Sequence, residues 1–147
     1  MRVLPDVNIL VRANEKSHGP ARKLLLDLIA RKHVVLTSAD ILIDLARVLR
    51  YPRVQALFGL SEEQIYEYVQ FLKTACTLVP IDSNWNFPIR DVSDAPILRT
   101  AVAGEADFIC TLDTDFYTAE VAAFCGTVGI TVLDDIALLE RLHSKLS

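Results

Sequence analysis

The aspartates are the side chains in this sequence whose spacing could do chemistry. Asp91 and Asp94 open an amphipathic stretch that runs to Gly104, and Asp113 and Asp115 follow the short apolar run Phe108-Ile109-Cys110-Thr111. Asp6 follows another such run, Arg2-Val3-Leu4-Pro5, and Asp44 sits on the polar edge of a helical stretch. In an open parallel sheet, ligands bind at the carboxyl ends of the strands. If the two apolar runs are neighbouring parallel strands, several of these acids converge at one rim. Two carboxylates about 5 Å apart repel by roughly 3 kcal/mol at an effective dielectric of 20, so such a cluster needs cations or raised pKa values. Hard oxygen ligands suit Mg²⁺ or Mn²⁺. The chemistry implied is phosphodiester hydrolysis by metal-activated water.

Each acid also has a plainer role. Asp6, Asp91, Asp94 and Asp113 each precede helix-like or turn-like segments and could cap them. Asp44 alone would be solvated surface, and Asp115 a turn residue. His18, His33 and His143 are scattered without ligand spacing, and Ser38 has the context of a helix cap, not of a nucleophile. The coincidence of acids after two strands and at two helix starts is what favours a metal site.

The chain must supply elements to hold these acids. Its 147 residues suit one domain spanning 1–147. With 52% hydrophobic and 23% charged residues it has the composition of a packed globular protein. No apolar run reaches the roughly 18 residues of a spanning helix, and no signal-peptide pattern opens the sequence, so no membrane association and a cytoplasmic location are expected. The net charge of -4 argues against a strongly basic nucleic-acid binder. It is compatible with an acidic site that meets phosphate through divalent cations. Cys76, Cys110 and Cys125 are odd in number and form no Cys-x-x-Cys pair; Cys76 and Cys110 sit in apolar runs and are expected to be buried, reduced thiols.

In chain order, Arg2–Pro5 reads as a strand and the pattern turns helical at Val7. Pro20 pre-sets a helix along 21–31, where Ala21, Leu24, Leu25, Leu28 and Ile29 recur at helical spacing. A second strand is predicted over 33–37, and a helix from Ser38 with Ile41, Leu42, Leu45, Val48 and Leu49 as its buried stripe. Tyr51-Pro52 stops that helix, and 52–59 reads as a connector. Ser61-Glu62-Glu63-Gln64 is a capping box for a helix to about Thr74. Residues 76–80 read as a third strand and 82–88 as a loop; a fourth strand covers 108–111. One short helix is expected between Asp113 and Phe124, a turn framed by Gly126 and Gly129, a fifth strand over 130–133, and a last helix capped by Asp134 or Asp135. Strands alternating with helices predict an α/β fold with a central parallel sheet of about five strands, flanked by helices on both faces.

The motifs carry a family resemblance. Asp6-Val7-Asn8-Ile9-Leu10 resembles the opening Asp-Thr-Asn-Val-Leu of PIN domains, specifically of the toxin components of type II toxin–antitoxin modules. Residues 38–53 are similar to that group's helix Ser-x-x-x-Leu-x-Glu-Leu-x-x-Val-Leu with its basic, proline-containing turn. Asp91-Val92-Ser93-Asp94 matches its Asp-Pro-x-Asp segment, and residues 106–116 its Ala-Asp-x-x-Val-Thr-x-Asp-x-Asp segment. The resemblance implies a Mg²⁺- or Mn²⁺-dependent ribonuclease acting on RNA, a homodimer, and a partner antitoxin that holds it inactive. It further implies that Asp6, Asp94 and Asp113 are principal metal ligands or orient the attacking water, with Asp115 an auxiliary acid. Thr111 matches the hydroxyl residue near the last acid, Asn8 would orient Asp6, and Asp91 would support the ligands from beside Asp94.

Two positions depart from the pattern. The family's second acid is usually glutamate, and Asp44 is one methylene shorter; Val7 replaces a threonine. Neither change deletes a carboxylate, so Asp44 is retained among the catalytic candidates. Arg47, Arg50 and Arg53 follow Asp44 along and just past its helix and form a candidate RNA-binding strip, with Arg99 a weaker candidate. A haloacid-dehalogenase-like phosphatase would need an aspartate where Asn8 stands. A signalling receiver domain would need an acidic pair after the first strand and a late lysine. The non-enzymatic alternative is a degenerate PIN domain that binds RNA or an antitoxin without cutting.

Overall fold

A computed structural model describes residues 1–81 and 95–144 of the chain. The strands are β1 (Arg2–Pro5), β2 (Val34–Thr37), β3 (Thr77–Leu78), β4 (Phe108–Cys110) and β5 (Thr131–Leu133). They form one sheet in the order β3-β2-β1-β4-β5, every pair parallel. The helices are α1 (Val7–Arg12), α2 (Pro20–Ala30), α3 (Ala39–Val48), α4 (Pro52–Phe58), α5 (Glu62–Ala75), α6 (Ala95–Ala103), α7 (Ala119–Thr127) and α8 (Asp135–Ser144), with a 3-10 helix at Thr114–Tyr117. The α/β architecture and its five parallel strands are those the sequence predicts.

Register shows how the helices cover the sheet. Val3 pairs with Val35 and with Phe108, so these side chains share one face. There Val3 and Pro5 line a small apolar void with Leu24, Leu25 and Leu28 of α2, and the Arg141 guanidinium of α8 lies 5.3 Å from the Phe108 ring centroid. Leu4 and Ile109 pair on the opposite face, as does Leu36 by alternation with Val35. Gly104, just past α6, closes against Leu36 and Val79 on that side. Both faces of the central strands are therefore covered, which is why β1, β2 and β4 are mostly apolar.

Local chemistry explains most helix ends. Ser38 Oγ accepts from the Ile41 amide at the start of α3. Ser61 and Gln64 form the reciprocal capping box before α5. Asp134 Oδ1 accepts from the Ala137 amide as α8 begins.

Three expectations are corrected. Residues 52–58 are a helix and not a connector: Pro52 takes the first helical position, and Gly59 closes the helix with φ of 59°. The third strand spans only Thr77–Leu78, both exposed. Gly126 lies inside α7 and frames no turn, whereas Gly129 does take a left-handed φ of 74°. All three cysteines are free and buried. The predicted loop at 82–88 lies outside the described residues, as do Asp91 and Asp94.

Candidate metal centre and nucleic-acid cleft

The strand order reverses direction at β1. From there the chain proceeds outward to β2 and β3 on one side, then returns to add β4 and β5 on the other. The carboxyl ends of β1 and β4 therefore flank a topological switch point, the usual place for a ligand in such a sheet. Asp6 immediately follows β1, and Thr111 and Asp113 follow β4. The Asp6 amide donates to the Cys110 carbonyl at 2.8 Å, fixing the two strand ends side by side.

A fully connected polar network holds Asp6. Its Oδ1 accepts from the Val7 amide at 2.7 Å, the N-cap bond of α1. Its Oδ2 accepts from Thr111 Oγ1 at 2.8 Å and from Asn8 Nδ2 at 3.3 Å. Thr111 Oγ1 in turn accepts from Asn8 Nδ2 at 3.3 Å and from the Asp113 amide at 3.0 Å. That hydroxyl uses its one proton and both lone pairs. Asn8 Oδ1 accepts from the Leu112 amide, tying α1 to the segment after β4, and Tyr117 Oη donates to the Thr111 carbonyl at 2.9 Å.

The electrostatics oppose ionisation of Asp6 and so favour a cation. Asp6 is only 7% exposed, and this burial pushes its carboxyl up from the usual range. Hydrogen bonds from Thr111 and Val7 pull it back, while the charges of Asp113 and Asp44 push it up again. An all-oxygen set of mutually repelling carboxylates is the donor chemistry that Mg²⁺ or Mn²⁺ takes. Among the described residues, no three His, Cys, Asp or Glu side chains stand close enough to hold a metal ion by themselves. Asp6, Asp44 and Asp113 are thus neighbours lining one space, and not a closed ligand shell.

That space is a cleft of about 800 Å³. Asp6, Asn8 and Asp113 line it from the switch point, α3 contributes Asp44 and Arg47, and α6 contributes Pro96 and Ile97. Asp94 directly precedes α6 in sequence. Asp44 is engaged by Arg47, one helical turn on, in a close ion pair. Asp115 is exposed and donates its amide to Asp113 Oδ1 at 3.0 Å, completing the turn that orients Asp113.

The three arginines of the expected strip separate. Arg47 and Arg53 line the cleft. Arg50 does not: it is paired through Nε and Nη2 with Glu62 and donates Nη1 to the Ala46 carbonyl. Tyr51, taken from sequence as a helix stop, also lines the cleft. Its i,i+4 spacing from Arg47, an aromatic among arginines, was the available signal.

Among the described residues no helix is long and apolar enough to cross a membrane. A sequence profile of the PIN domain matches residues 2–115, from the first residue of β1 through Asp115. No curated protein matches the chain.

Proposed function

The chain belongs to the PIN domain family, whose members are generally nucleases that use divalent metals, and on that premise we propose that it is a Mg²⁺- or Mn²⁺-dependent endoribonuclease. The observation that carries this is the buried Asp6 carboxylate at the switch point, held by Thr111 and Asn8 and burdened by the charges of Asp113 and Asp44.

Asp6, Asp113 and Asp94 would hold the cation, with Asp115 auxiliary. When bound, the cation polarises a phosphate oxygen and acidifies water, so that hydrolysis proceeds near neutral pH. The chain's own contribution is positioning. Thr111 and Asn8 fix the Asp6 carboxylate in place. The turn bond from the Asp115 amide fixes Asp113, and Asp44 presents an acceptor across the cleft that would take up a proton from attacking water. The resemblance of the four motifs to toxin components supports a finer reading: a cytoplasmic, homodimeric toxin, restrained by an antitoxin.

The pairing of Asp44 with Arg47 favours a second reading, a domain that binds RNA or an antitoxin without cutting. An aspartate one methylene short and already bonded to Arg47 reaches less far into the cleft than a free glutamate. Cleavage of a fluorescent single-stranded RNA in Mn²⁺, in Mg²⁺ and in chelator separates the two. Metal-dependent cleavage lost in Asp113→Asn supports the nuclease; equal inactivity of folded wild type and variant, without metal binding, supports the binding domain.

A further inference from the structure

The acids are not the whole lining of the cleft. Along α3 and into the start of α4 it is also lined by Ile43, Arg47, Tyr51 and Arg53. Ile43 is 69% exposed and Tyr51 39% exposed, so both present apolar surface to the cleft. Tyr51 occupies the N-cap of α4, where Ser, Thr, Asp or Asn serve best, and its side chain makes no capping bond. The side chain is therefore not committed to the helix start. Arg47 bonds Asp44 on the acidic side and sets its guanidinium carbon 5.9 Å from the Tyr51 ring centroid, so one arginine spans from the acids to the aromatic. Arg53 is exposed and lacks an ion-pair partner among the described residues.

We propose that Tyr51, flanked by Arg47 and Arg53, is a stacking platform for one unpaired base of the substrate, next to the phosphodiester held at the acids. This rests on the ribonuclease reading and names the residue that would seat a base of a single strand. A-form duplex buries its bases in the stack and is held through backbone contacts along its grooves, which demands an extended basic surface. Here the net charge is -4, Arg50 is held by Glu62, and of the two arginines in the cleft Arg47 is bonded to Asp44. An aromatic face beside two guanidinium groups instead matches the stacking and phosphate contacts by which single strands are bound.

The test compares wild type with Tyr51→Phe and Tyr51→Leu, using a fluorescein-labelled 12-nucleotide RNA of mixed sequence, single-stranded or annealed to its complement. Binding is read by anisotropy in Mn²⁺ in an Asp113→Asn background, and steady-state kinetics in the parent chain. Stacking on an aromatic is worth ~1–3 kcal/mol per base, so Tyr51→Leu should weaken single-strand binding about tenfold and raise KM with kcat within about twofold. Tyr51→Phe should match wild type, and the duplex should bind more weakly than the single strand. With one phosphate neutralised by Arg53, the plot of log affinity against log salt should have a slope of about -0.7. Equal binding by wild type and Tyr51→Leu, or duplex binding as tight as single-strand binding, overturns the platform while leaving the nuclease in place. Absence of both RNA binding and metal-dependent cleavage in the wild type overturns both.

Discussion

Thr111 Oγ1 donates to Asp6 Oδ2 at 2.8 Å across the junction of β4 and β1, joining residues 105 positions apart. The same hydroxyl receives the Asp113 amide and Asn8 Nδ2, so one buried side chain sets the position of two acids. Thr111→Val keeps the shape and removes the hydroxyl. It should lower stability by ~1–3 kcal/mol, since the Asp113 amide loses its acceptor, as read by urea unfolding. The lost hydrogen bond also favours the neutral form of Asp6, so Mn²⁺ binding should require a higher pH than in wild type.

Asp113 carries a charge that Asp6 resists. In chelator, Asp113→Asn should raise stability by ~1 kcal/mol, because the amide oxygen can still accept the Asp115 amide while the repulsion is gone. In Mn²⁺ the order should reverse. Wild type gains about 2.7 kcal/mol at a hundredfold excess over Kd, and the variant little. Thermal unfolding with and without Mn²⁺ checks both halves; a variant that is less stable in chelator contradicts the electrostatic account.

Arg50 and Arg53 lie three residues apart and should behave differently. Arg53→Ala should weaken single-strand binding and reduce the salt slope by about 0.7. Arg50→Ala should leave both unchanged, because its guanidinium is committed to Glu62 and Ala46. Titrations at four salt concentrations distinguish them.

Gly104 follows α6 where that helix meets β2. An added Cβ would lie 2.9 Å from Val79 Cγ2, 3.0 Å from the Thr100 carbonyl oxygen and 3.1 Å from Leu36 Cδ1. Gly104→Ala should therefore cost ~1–3 kcal/mol by overpacking, and Leu36→Val should relieve part of it, as a double-mutant cycle would show.

Burial pushes the Cys76 thiol up to about 12 and raises Cys110, Cys125 and Tyr68 as well. The unfolded chain ionises its thiols near pH 8.5, so above that pH the native state holds more protons than the unfolded one. Stability should then fall as pH rises from about 8.5 toward 12, with no thiol contribution below. At pH 8 the native protein should resist a thiol reagent that labels three cysteines once guanidinium is added.

Much of this architecture is written locally. Apolar runs closed by Asp6 and Asp113 mark β1 and β4 because a buried parallel strand is apolar throughout and its end must meet polar groups. The capping box at Ser61 and Gln64 is likewise readable in four letters. What misleads is punctuation: Pro52 stops one helix and starts the next, since a proline suits the first helical position, and Gly126 sits in α7 despite its low helix propensity. Strand order is not a local property at all. Asp6 and Asp113 become neighbours only because the chain returns past β2 and β3 to pair β4 with β1. The i,i+3 spacing of Asp44 and Arg47 was visible, but whether an arginine faces its own helix's acid or a ligand depends on the surrounding cleft.

The seam between β1 and β4 also sets when in folding the Asp6 network can form. Asp6 and its partner Thr111 stand 105 positions apart in sequence, with β2 and β3 between them. Contacts of such long range form late, because the intervening loop must first be closed. A chain that has folded only its first helices therefore lacks this network, which forms once β4 pairs with β1. In refolding from denaturant, helical signal should return before Mn²⁺ binding does.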